Sequence, residues 1–142
     1  MYNKILVCLE NNQTDKTIIP HVAKLATLHG SQLMLLHVAD GWAARNFDRL
    51  KLAESEEMQA DREYLESVAH ALNSHGLTVE VRLAMGSPPK EIVRIALEEQ
   101  CNLIAMTTHG HRFFGDIFHG STIREVRHST SLPLLLVRGV RG

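Results

Sequence analysis

Between Thr107 and Thr122 the chain gathers the side chains best suited to chemistry. The segment reads Thr107-Thr108-His109-Gly110-His111-Arg112-Phe113-Phe114-Gly115-Asp116-Ile117-Phe118-His119, then Gly120-Ser121-Thr122 at the start of an expected helix. Such an ending supplies what an anion needs. A first helical turn leaves backbone N–H groups unpaired, glycine lets an anion approach the backbone closely, and hydroxyls donate further hydrogen bonds. His109, His111, Arg112, His119 and Arg124 add donors and positive charge nearby. Phosphate is the natural guest, although Gly110 and Gly120 would also serve a tight turn and a helix entry without any ligand.

Other chemistries find less support. Neither G-x4-G-K-[ST] nor G-x-G-x-x-G occurs in the chain, so the segment is neither a P-loop nor a standard dinucleotide fingerprint. His109, His111 and His119 form His-x-His-x7-His, which lacks a nearby carboxylate or thiolate as fourth ligand and follows no common zinc spacing. No serine has an obvious base, no carboxylate pair is set by spacing, and no lysine lies in the loop to neutralise a transferring phosphoryl group. Efficient enzymatic chemistry is therefore not expected of the loop. Glu10 follows the first apolar run, where an acid is as readily solvated as ligand-bound. Phe113, Phe114 and Phe118 would let the loop close over a ligand or dock a partner, while Trp42 and Phe47 suit packing or a subunit contact equally well.

The elements that must position this segment follow from hydrophobic period. Lys4–Leu9, Ser31–Val38, Val79–Leu83, Leu103–Thr107 and Leu132–Val137 have strand length. All but the third are nearly continuously apolar, as buried parallel strands should be, whereas Glu80 and Arg82 alternate with Val79, Val81 and Leu83 and mark an edge. Asp15–His29 carries Ile18, Val22, Leu25 and Ala26 on one helical face and stops at Gly30. A second helix runs from about Phe47 to His75 with Leu50, Ala53, Ala60, Tyr64, Val68 and Leu72 on one side. Pro88 and Pro89 suit the first turn of a third, with Ile92, Ile95 and Ala96 inward, and a fourth follows Gly120 using Ile123 and Val126. Strands alternating with amphipathic helices predict an α/β domain, a parallel sheet with helices on both faces. Ligands of such sheets sit beyond the carboxyl ends of the strands, where the strand order reverses.

The 142 residues fit one domain spanning 1–142, with no repeat or low-complexity linker. Fifteen basic against sixteen acidic residues leave no electrostatic footprint for nucleic acid. The amino-terminal stretch is too short for a signal peptide and no apolar run approaches the ~20 residues of a membrane span, so a cytoplasmic location is expected. Cys8 and Cys101 read as small core hydrophobes of a reducing compartment rather than as a disulfide.

The glycine spacing resembles the signature of the universal stress protein family, G-x2-G-x9-G-[ST]. It reads here Thr107-x2-Gly110-x9-Gly120-Ser121, with three of four fixed positions matching. Lys4-Ile5-Leu6-Val7, Leu35-Leu36-His37-Val38, Gly86-Ser87-Pro88 with Ile92, Asn102 to Gly110, and Leu132-Pro133-Leu134-Leu135-Leu136-Val137 are similar, in order, to further family segments. The resemblance implies a five-stranded parallel sheet of order 3-2-1-4-5, of the adenine nucleotide alpha hydrolase-like kind, with its switch point between the first and fourth strands. It also implies ATP or AMP as ligand, with magnesium accompanying ATP. Gly110, Gly120, Ser121 and Thr122 would hold the phosphates with His109 alongside. Val38 and Met106 would flank adenine and ribose, together with Cys8 and Leu9. The chain departs from the pattern at Glu10, where the family's nucleotide binders usually have Asp, and at Thr107, where the signature has Gly. Ligand binding would then act as a signal to an unknown protein partner. The family's branch without the glycine signature offers the alternative of a purely structural or interaction dimer, and a slow ATP hydrolase is the third reading. A homodimer through residues 132–138 is expected on either reading, because an apolar strand at a sheet edge invites a second copy.

Overall fold

In the computed structural model, which describes residues 1–40, 47–108 and 120–139 and the side chains among them except those of residues 40 and 47–55, Lys4–Cys8 (β1) lies at the centre of the sheet. It pairs in parallel with Gln32–Asp40 (β2) on one side and Leu103–Thr108 (β4) on the other. Hydrogen-bonded along both edges and covered on both faces, β1 buries Ile5, Leu6, Val7 and Cys8 completely, which accounts for a run without alternation. Val79–Gly86 (β3) pairs outside β2, and Leu134–Arg138 (β5) outside β4. The order is β3-β2-β1-β4-β5, as the family resemblance implies, and β3 is an edge as its alternating sequence predicts.

Helices cover both faces. Asp15–His29 (α1) and Phe47–Asn73 (α2) pack on one, where Ile18, Val22, Leu65 and Ala69 meet Ile5, Val7, Leu33 and Leu35. Pro88–Glu98 (α3) and Gly120–Ser129 (α4) pack on the other, where Ile92, Ile95 and Val126 meet Leu6, Cys8, Ile104 and Met106. Burying each large aliphatic side chain contributes about 1.5–3 kcal/mol. α1 has the expected bounds and ends at Gly30, whose φ of 66° is the left-handed cap that glycine adopts without strain. Lys4 bridges Glu80 and Glu99, and Arg82 bridges Glu98 and Glu99, tying α3 to β1 and β3.

Several boundaries and faces differ from expectation. β2 and β3 run past Val38 and Leu83 because they continue to pair through Ala39 with Met85 and Asp40 with Gly86. β5 starts at Leu134, not Leu132, since Pro133 has no N–H for the ladder; its carbonyl still accepts the Ile104 N–H at 3.1 Å. Among the described side chains of α2 the buried ones are Asp61, Leu65 and Ala69, while Ala60 is exposed. Tyr64, Val68 and Leu72 are half-buried against the same core, because each lies only about 60° from the buried residue three positions before it, so the stripe runs between the two rows and leaves Ala60 outside. Cys8 and Cys101 are buried free thiols, and burial pushes Cys101 up to about 11 and raises Cys8 as well. No helix among the described residues is long and apolar enough to cross a membrane.

Candidate functional site

The chain leaves β1 for α1 on one face of the sheet, while the helix after β4, α4, packs on the other. The helices that follow the adjacent strands β1 and β4 therefore lie on opposite faces, the topological switch point at which open α/β sheets place their ligands. The register sets Val7 beside Ala105 and Cys8 beside Leu36, so β2 and β4 run on past the end of β1, to Asp40 and Thr108. Cys8, Val38 and Met106 belong to the core beneath α3 and α4, whereas Leu9 belongs to the core beneath α1 and α2. All four, together with Thr107, are completely buried. Gly120 and Ser121 are exposed at the start of α4, and Thr122 is buried. A Cβ added at Gly120 would meet no atom within 4 Å, so this glycine answers no steric demand of the described residues. His109 and Gly110 lie outside the described residues, as do Trp42, His111, Arg112, Phe113, Phe114, Phe118 and His119, and the side chain of Phe47. Among the described residues no group of three or more histidines, cysteines or carboxylates could hold a metal ion.

Thr107 occupies the place of the signature's first glycine, and the fold absorbs its branched side chain through a second glycine. A Cβ at Gly139 would stand 3.0 Å from Thr107 Cγ2 and 3.1 Å from both Cβ and Cγ2 of Thr14. The bare backbone of Gly139 is what leaves room for two threonines, and its N–H is held by the Thr108 carbonyl at 2.9 Å. The Thr107 hydroxyl, though buried, has no hydrogen-bond partner among the described residues.

Glu10 is not a solvated acid. Only 6% of it is exposed, and its Oε2 accepts hydrogen bonds from Thr14 Oγ1 at 2.9 Å and from Asn12 Nδ2 at 3.3 Å. Beneath it lies a buried polar bracket that the sequence reading did not single out. Asp15, in the first turn of α1, accepts the backbone N–H groups of Glu10 at 2.9 Å and Asn11 at 2.8 Å, and also the Tyr64 hydroxyl at 2.6 Å. Burial and this bond to Asp15 push the Tyr64 phenol up, keeping it protonated as a donor. Asp61, on α2, accepts the Asn11 side-chain amide at 2.8 Å, and its Oδ2 lies 3.4 Å from His37 Nε2. His37 Nδ1 in turn donates to the Leu9 carbonyl at 2.9 Å. Asn11 sits in the left-handed region with φ of 59°, a conformation that asparagine tolerates and that these contacts hold. The signal available in the sequence was a histidine, His37, within an apolar strand run.

Comparison with known proteins bears on the whole chain. The model of the universal stress protein family matches residues 1–138. A universal stress protein of Methanocaldococcus jannaschii is 27% identical over 155 residues, covering 97% of this chain and 96% of the relative. One from Synechocystis is 25% identical over 151 residues, covering 96% and 98%. The solved structure of the Methanocaldococcus jannaschii protein superimposes with a TM-score of 0.81 at 26% identity, covering 100% of this chain and 99% of the other. A universal stress protein from Archaeoglobus fulgidus, solved in complex with dAMP, shares the fold with a TM-score of 0.70 at 22% identity, covering 96% and 98%.

Proposed function

The chain belongs to the universal stress protein family, and from that premise we propose that it binds an adenine nucleotide, ATP or AMP, as a signal in a stress response. The observation that carries this reading is the opening of α4. Gly120 and Ser121 are exposed there, none of the described residues fills the space where a Cβ would project, and α4 is the helix that comes after β4, the strand at the switch point. Gly110, Gly120, Ser121 and Thr122 hold the phosphates with His109 alongside. Adenine and ribose lie against the ends of β1, β2 and β4, where Cys8, Leu9, Glu10, Val38, Met106 and Thr107 cluster. Magnesium accompanies ATP, and hydrolysis is at most slow. The dAMP complex of a protein with the same fold supports an adenine ligand.

The nucleotide acts by changing what the 108–119 segment presents to a protein partner, within a homodimer formed along residues 132–138. The exposed Leu136 on edge strand β5 supports that surface. Calorimetric titration with ATP and AMP, with and without magnesium, tests the reading. Saturable binding of one nucleotide per chain is the expected result. Absence of binding, together with no nucleotide released from the heated protein, would leave the interaction dimer as the better account.

A further inference from the structure

The turn after β1 is held from beneath by side chains of three other elements. Asn11, Asn12 and Gln13 are exposed at its crest, while Asp15, His37 and Asp61 are buried under it. Asp15 grips the two consecutive backbone N–H groups of Glu10 and Asn11, Asp61 grips the Asn11 side chain, and His37 grips the Leu9 carbonyl. Tyr64 and Asp61 come from α2, His37 from β2 and Asp15 from α1, so three separate elements converge on one short turn. Removing one acceptor from such a buried network exposes the others as unsatisfied groups, which makes the arrangement an all-or-none constraint on the path of the backbone.

We infer that Asp15 and Asp61 are positioning residues that fix the Leu9–Asn11 backbone, and through it Glu10, for the nucleoside half of the ligand, leaving the phosphate half to the opening of α4. This rests on the nucleotide reading above and divides it. Two halves of one ligand are recognised by two independently built parts of the fold, a bracketed turn and a helix N-terminus. His37 adjoins Val38 in β2, so the contact that holds Leu9 also ties the turn to the strand segment carrying Val38.

The division is testable with the full chain and two probes, ATP and inorganic tripolyphosphate, which has the charge without the nucleoside. Asp61→Leu removes the acceptor of Asn11 and the neighbour of His37. It should weaken ATP about tenfold, the equivalent of one lost oriented hydrogen bond, and leave tripolyphosphate affinity within about twofold. Asp61→Asn retains an acceptor for Asn11 and should recover most of the ATP affinity. Tyr64→Phe, which removes only a donor to Asp15, should weaken ATP by a smaller factor with tripolyphosphate again unchanged, and it serves where Asp61→Leu fails to fold. Variants that bind ATP as the wild type does, or that lose both probes equally, overturn the positioning role. A wild type that binds neither probe overturns the nucleotide reading itself and the positioning role with it.

Discussion

Replacing Gly120 by Ala should move stability and binding in opposite directions. The described residues leave space for the new methyl group, since a Cβ there meets no atom within 4 Å, and the residue begins helix α4 without a left-handed φ. Alanine restricts the unfolded chain more than glycine does, so the unliganded fold should gain about 0.4–1 kcal/mol. For a domain of this size that raises Tm by about 1–4 °C. The same methyl group stands where a phosphate oxygen would approach the first-turn N–H groups. Losing one such charge-assisted bond is worth about 1.5–3 kcal/mol, or roughly 10- to 150-fold in Kd. Thermal melts without ligand and calorimetric titration with ATP read the two effects separately. A lowered Tm would mean that Gly120 serves the fold, and an ATP affinity within twofold of wild type in the folded variant would remove the phosphates from this helix.

Three further outcomes follow from other parts of the molecule. Ser121→Ala should weaken ATP by about 1–2 kcal/mol without altering the melt, as for one lost hydrogen bond to a charged group; an unchanged Kd would reduce Ser121 to a helix-terminal residue. Gly139→Ala should destabilise by about 1–3 kcal/mol through overpacking, with part of the loss recovered in the Thr107→Ala background; urea unfolding giving strictly additive losses would refute the contact. Leu136→Lys should convert a dimer to soluble monomer in light scattering, an outcome excluded if the wild type is already monomeric at tens of micromolar.

The alternation of strand and helix and the faces of α1, α3 and α4 were legible because buried parallel strands and amphipathic helices write their period directly into the sequence, whereas the strand order came from the family resemblance and not from period. Four apolar positions on α1 and three on α3 suffice to orient each helix, and Ile18, Val22, Ile92 and Ile95 are all buried. The glycine and hydroxyl spacing behind the proposed phosphate site is local in the same way, so the proposal could be made from the sequence. The bracket beneath Glu10 was not legible. Asp15 and Tyr64 are 49 residues apart and Asn11 and Asp61 are 50 apart, and no local pattern says that a polar side chain on one helix will meet a turn on another strand. The displacement of the α2 stripe from Ala60 to Asp61 has the same origin. An aspartate is read as outward-facing until its partners, Asn11 and His37, are known.

The tight fit around Gly139 gives the history of this chain a direction. A lineage that starts with glycine at both 107 and 139 can acquire Thr107 first and keep a packed fold. If position 139 gains a side chain first, the space beside Thr14 is already taken, and a branched residue at 107 meets a filled site. Each order of change therefore closes the other route. Once Thr107 and Gly139 coexist, a side chain at 139 is admitted only after 107 and the neighbouring Thr14 have been pared back, so the pair behaves as a ratchet on sequence drift at this end of the sheet.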